Sequence, residues 1–265
     1  MFACDDESCP SPVPCPPCPT DEWGTIAVDE ALSAPTYSMR QRCFAEATGT
    51  FCMVFAGTGA VVIDHVSGGA VTHVGVALTF GLVVLAMIFA VGDVSGAHLN
   101  PAVTLGFVVA RRFPLRDALA YIPSQIAGAL LASALLRVMF PSHPNLGATL
   151  PASPGFGGAM QSFLLEAVLT AILMLVILSI ACGPKERGMM AAIAVGSVIG
   201  LEAMFAGPIS GASMNPARSL APALVSMELR ALWVYLIAPP LGAMVAVPLA
   251  RAIYGPALME SSDVR

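Results

Sequence analysis

The residues of this chain that could do chemistry sit in apolar surroundings and come in matched pairs. Asn100, Pro101 and Ala102 lie within SGAHLNPAVTLGFVVA (residues 95–110), and Asn215, Pro216 and Ala217 within SGASMNPARSLAPALV (residues 210–225). Proline is favoured at a first helical position because its missing N–H has no intrahelical partner there. Each stretch therefore predicts a half-helix starting at Pro101 or Pro216, too short to span a bilayer and read as re-entrant. Asn100 and Asn215 cap these half-helices and present their side-chain NH₂ groups to a lumen. Two helix N-termini brought together create positive potential at one place. A water between the two amides would donate its hydrogens outward, which breaks a proton wire and repels cations.

Three charged side chains belong to the same constellation. Arg218 follows the second motif directly. An arginine facing lipid is costly, so it must face an aqueous cavity or a partner acid such as Glu202. Glu46 and Glu166 are carboxylates inside apolar runs. Irregular backbone at membrane depth needs internal partners, and both are read as acceptors for N–H groups of the re-entrant loops. A proton relay is the rival role; the symmetric placement and the lack of a partner base weigh against it. His98, inside the first loop, is read as organising or lining the mouth of the pathway. No nucleophile–base set and no metal triad stands out, so neither an enzyme nor a cofactor or metal site is expected.

The elements that must position these residues are apolar throughout. Hydrophobic residues make up 57% of the 265 and charged residues 11%, with a mean hydropathy of +0.80. A soluble domain carries about 25% charged residues. Such a chain cannot cover a soluble surface, which excludes a cytosolic enzyme. Apolar runs with at most one acid each fall at about 43–63, 73–92, 117–136, 159–182, 189–207 and 231–250. Each is near the ~20 residues that cross a ~30 Å hydrocarbon core. Barrel strands would be shorter and alternating. The predicted fold class is an all-α membrane protein with six transmembrane helices and two re-entrant half-helices.

Charge sets the orientation. With the N-terminus inside, Arg40, Arg42, Arg111, Arg112, Arg116, Lys185, Arg187, Arg251 and Arg265 lie on the cytoplasmic side, against Arg137 and Arg230 outside. The positive-inside bias makes both termini cytoplasmic. Residues 1–39 hold seven acids, seven of the 22 prolines and no Lys or Arg. They read as a disordered, acidic, Pro/Cys-rich cytoplasmic tail. Its Cys4, Cys9, Cys15 and Cys18 are kept reduced in the cytoplasm; they are either incidental or a site for a soft metal or arsenite. Cys43, Cys52 and Cys182 are read as packing residues. Residues 40–255 are read as one membrane domain, with repeats at about 40–140 and 159–255, and 256–265 as a short cytoplasmic C-terminal tail. The net charge of −5 offers no basic face to nucleic acid.

The two halves repeat each other. Glu46 precedes Asn100 by 54 residues and Glu166 precedes Asn215 by 49. Each half has three spans, an odd number, so the second is inserted upside down and the site falls near the midplane, where broken helices meet. At these residues the chain resembles the aquaporin (major intrinsic protein) family, over about residues 40–255. The run from Phe205 to Ser219 resembles the nodulin-type branch and its bacterial relatives. The resemblance implies a passive channel of the cell membrane, a homotetramer with one pore per subunit. Its partners would be the lipid bilayer, water and small neutral solutes, with glycerol, urea and metalloid hydroxides as candidates.

Counted back from the asparagines, the resemblance implies a selectivity filter of Phe80, Ala203, Ala212 and Arg218. Strict water channels of the family carry His at the Ala203 position, and glycerol facilitators carry Asp where Ser219 stands. Phe80 adds bulk that the widest members lack, so the filter is intermediate. Glu202, one residue before Ala203, points about 100° away around its helix. A secondary transporter on inverted repeats is the alternative; it needs a coupling-ion site, and no span offers an Asp or Lys at its middle.

Overall fold

The computed structural model describes residues 36–152, 158–181 and 190–255. The tail cysteines, most of the N-terminal tail, the C-terminal tail, Cys182, Lys185 and Arg187 lie outside the described residues. Among those described there are eight helices and no strand: α1 (Met39–Val66), α2 (Thr72–Ser95), α3 (Pro101–Val109), α4 (Leu115–Met139), α5 (Gly158–Ala181), α6 (Ala191–Ser210), α7 (Pro216–Ser226) and α8 (Leu232–Tyr254). All except α3 and α7 are long and apolar enough to cross a membrane, and they fall on the six runs picked out by composition. α3 and α7 begin at Pro101 and Pro216 and last only 9 and 11 residues.

Local signals account for the ends of these helices. Ser38 and Gln41 open α1 with a reciprocal capping box. α2 and α6 both stop at a glycine in the left-handed region, Gly96 (φ 83°) and Gly211 (φ 85°). Glycine takes that position without the Cβ penalty. The repeated Ser-Gly-Ala thus ends a span and starts a re-entrant loop at both places.

Packing follows the same repeat. α1 lies against α4, α5 against α8, and α2 against α6. A Cβ at Gly128 of α4 would sit 2.1 Å from Ala47 O of α1, and one at Gly242 of α8 would sit 2.1 Å from Ala167 O of α5. The third crossing joins the two halves: a Cβ at Gly81 would come within 2.6 Å of Gly196 O, and one at Gly196 within 2.7 Å of Gly81 O. Small residues let helix backbones approach closely where lipid provides no hydrophobic drive. Large apolar side chains such as Leu82, Leu131 and Val245 are exposed on the outside, which suits a lipid solvent.

Candidate functional site

Both re-entrant loops hold their backbone in a costly conformation. Ala97 (φ 46°), Leu99 (φ 50°), Ala212 (φ 41°) and Met214 (φ 54°) are all left-handed. Such residues cost about 1–3 kcal/mol each and persist only when their surroundings over-determine them. The two carboxylates provide that constraint. Glu46 accepts from His98 N (2.9 Å), Leu99 N (2.7 Å), Ser95 Oγ (2.7 Å) and Gln125 Nε2 (2.8 Å). Glu166 accepts from Ser213 N (2.8 Å), Met214 N (2.8 Å) and Ser210 Oγ (2.7 Å). Both are fully buried. A tyrosine closes each loop from outside: Tyr121 donates to Ser95 O (2.8 Å) and Tyr235 to Ser210 O (2.6 Å).

The asparagines tie the loops to each other. Asn100 Oδ1 accepts from Ala102 N (2.8 Å), and Asn215 Oδ1 from Ala217 N (2.9 Å) and Arg218 N (3.3 Å). Their NH₂ groups cross over, Asn100 Nδ2 donating to Met214 O (2.7 Å) and Asn215 Nδ2 to Leu99 O (2.9 Å). One hydrogen of each amide is therefore engaged by the opposite loop, and Asn215 Nδ2 also donates to Met53 Sδ at 3.8 Å. The cross-brace sets the N-termini of α3 and α7 head to head, with Pro101 and Pro216 as their first residues.

Two cavities enter the bundle from opposite ends. The first, about 390 Å³, opens on the side where α1 begins and runs past Ile88, His98 and both asparagines. The second, about 330 Å³, opens on the other side, beneath residues 145–150. Phe80, Ala203 and Arg218 line both cavities, so the lumen divides at them; Ala212 lines the first. The Arg218 guanidinium lies over the Phe80 ring at 5.0 Å, a cation–π contact. Its Nη1 donates to Gly147 O at 3.0 Å. The Phe80 ring leans on α1, where a Cβ at Gly57 would sit 2.1 Å from its Cε1.

Three neighbours are resolved by the same geometry. Ser219 turns away from the lumen and bonds Thr149 Oγ1 at 2.7 Å. His98 lines the first cavity, its Nδ1 3.1 Å from Thr104 Oγ1 and its ring stacked on Phe107. Glu202 is buried, lines neither cavity, and neither of its carboxylate oxygens has a hydrogen-bond partner. The pairing of Arg218 with Glu202 that the sequence allowed does not occur. Sequence reasoning missed Ser95, Ser210, Tyr121 and Tyr235, although the serines open the repeated motif and the tyrosines recur 114 positions apart. It also missed Gly57 and Gly147, for which no local signal exists.

Comparison with known proteins agrees with this architecture. The sequence model of the Major intrinsic protein family matches residues 33–249. Aquaporin NIP1-4 of Oryza sativa subsp. japonica is 51% identical over 210 residues, 78% of this chain and 75% of that protein. Nodulin-26 of Glycine max is 41% identical over 217 residues, 82% of this chain and 78% of that protein. The solved structure of the aquaglyceroporin from Plasmodium falciparum superposes with a TM-score of 0.73 at 26% identity, covering 84% of this chain and 99% of that one. The chain belongs to the major intrinsic protein family, in its nodulin-type branch, and is a passive membrane channel for water and small solutes.

Proposed function

We propose that the channel conducts glycerol as well as water, with Phe80, Ala203, Ala212 and Arg218 as its filter. Urea and metalloid hydroxides are further candidate solutes. The observation that carries this reading is the meeting of the two cavities at Phe80, Ala203 and Arg218. Selectivity at a constriction depends on its diameter and on the donors lining it. Arg218 offers its guanidinium N–H groups to hydroxyl oxygens, while Phe80 and Ala203 offer an apolar wall to a carbon edge. The likeness to an aquaglyceroporin supports a filter wide enough for a polyol.

Asn100, Pro101, Ala102, Asn215, Pro216 and Ala217 act as the central barrier to protons and cations, through two half-helix N-termini and the paired asparagine amides. Glu46 and Glu166 brace the loops and relay no proton. Arg40, Arg42, Arg111, Arg112, Arg116 and Arg251 stand at one end of the bundle, against Arg137 and Arg230 at the other, which supports cytoplasmic termini in the cell membrane. The family resemblance supports a homotetramer.

Stopped-flow measurements on proteoliposomes test the filter. The native protein is expected to pass water and glycerol. Ala203→His adds a ring opposite Phe80 and a donor beside Arg218, and is expected to keep water flux and cut glycerol flux about tenfold, or about 1.4 kcal/mol in the barrier. Native passage of water without glycerol would mean that Phe80 closes the filter.

A further inference from the structure

Between α4 and α5 the chain makes a turn over residues 143–147 that reaches the filter. His143 Nδ1 accepts from Leu146 N at 3.0 Å. Leu146 is buried and left-handed (φ 50°), and Gly147 follows at φ 69°. A left-handed leucine persists only while its turn is held. Gly147 O then accepts from Arg218 Nη1 at 3.0 Å, 71 residues away in sequence. The guanidinium also lies over the Phe80 ring, and Arg218 Nε has no hydrogen-bond partner.

The chemistry of the imidazole makes this turn sensitive to protons. A ring that accepts at Nδ1 is neutral and carries its proton on Nε2; an imidazolium has N–H on both nitrogens and accepts nowhere. We propose that His143 is a positioning residue of the filter: neutral, it locks the turn whose Gly147 carbonyl holds Arg218, and protonated, it releases that hold. The proposal rests on the reading of Arg218 as a filter residue.

The groups facing His143 leave its cation without support. His65 of α1 meets it edge-on at 4.7 Å between ring centroids. Arg137 of α4 donates Nη1 to His143 O at 2.8 Å. Asp64, beside His65, accepts from Val71 N (3.0 Å) and Thr72 N (2.7 Å) at the start of α2. His143 Nε2 is buried without a partner. Burial first, then His65 and Arg137, hold the imidazole below the usual histidine range. The ring is therefore neutral at physiological pH and becomes charged only in acid. Released from Gly147, Arg218 keeps the Phe80 ring beside it and settles into the lumen, where it obstructs glycerol more than water.

The test compares glycerol and water permeability of the full chain in proteoliposomes, with equal pH on both sides, from neutral to about pH 4.5. The native glycerol-to-water ratio is expected to fall about threefold or more in acid, since a hydrogen bond to a charged group is at stake. In His143→Asn, Oδ1 replaces Nδ1 as an acceptor that does not titrate, and the ratio is expected to stay high at every pH. His143→Ala has no acceptor, and its ratio is expected to be low at every pH. An acid response that persists in His143→Asn overturns the proposal, as does a native ratio that ignores pH. If His143→Ala fails to fold, the native protein and His143→Asn decide alone. Arg218→Val separates the two readings: an unchanged ratio at neutral pH means that Arg218 is no filter residue. A changed ratio there, with no role for His143, means that only the positioning claim fails.

Discussion

Gly57 gives Phe80 the room it occupies. The ring fills the space that a side chain on α1 would take, with Cε1, Cδ1 and Cζ all within 2.5 Å of a built Cβ. Gly57→Ala is expected to push the ring towards Arg218 and Ala203 and narrow the filter. Glycerol flux should fall about tenfold and water flux less, a barrier change of about 1.4 kcal/mol for glycerol. Adding Phe80→Ala to Gly57→Ala should restore glycerol passage, because the two changes share one contact and are not additive. If Gly57→Ala alone leaves glycerol flux unchanged, the ring has yielded elsewhere and does not set the width. At this scale the motif residues were legible. Asn100, Asn215 and Arg218 sit in a repeated pattern that only a half-helix and a lumen explain. Gly57 and Gly147 were not, because their meaning lies in Phe80, 23 residues away, and Arg218, 71 residues away.

Helices in this chain were easier to find than to orient. A run of ~20 apolar residues announces a span, and Asn-Pro announces the start of a half-helix. Which face of a span points inward is hidden, because lipid-facing and buried positions are equally apolar. On α8, exposed Met244 and Val245 sit between buried Ala243 and buried Ala246. Only contact geometry singles out Gly242, whose Cβ would meet Ala167 O at 2.1 Å, one residue after the loop-bracing Glu166. Backbone cannot move aside as a flexible side chain can. Gly242→Ala is expected to cost about 1–3 kcal/mol, as overpacking does, and to lower the unfolding temperature in detergent. Gly92→Ala on α2 is the control: its nearest neighbour would be Ile88 Cγ2 at 3.7 Å, and it should leave that temperature unchanged. Equal behaviour of the two variants would show that the α5–α8 crossing tolerates separation.

The molecule as a whole places two half-helices head to head, and the proposed barrier to protons and cations lies where they meet. α3 and α7 each bring roughly half a positive charge to the centre, and the cross-bonded asparagines fix that meeting point. Arg218 adds a full charge at a second position, where the two cavities meet. On the proposed reading a cation would face two barriers in series, and a proton would find no chain of acceptors through the amides. Proteoliposomes carrying the native protein should shrink fast under osmotic shock while an imposed pH gradient persists. On that reading the dominant barrier lies at the centre, where both halves contribute a helix N-terminus; only the second half contributes Arg218. In Arg218→Val, discrimination against glycerol-sized solutes should relax, while decay of the pH gradient should quicken by no more than about tenfold, equivalent to about 1.4 kcal/mol of lost barrier or less. Collapse of the gradient at a rate comparable to shrinkage in the native protein would reject proton exclusion altogether. Collapse only in Arg218→Val would move the main barrier from the paired half-helices to the arginine.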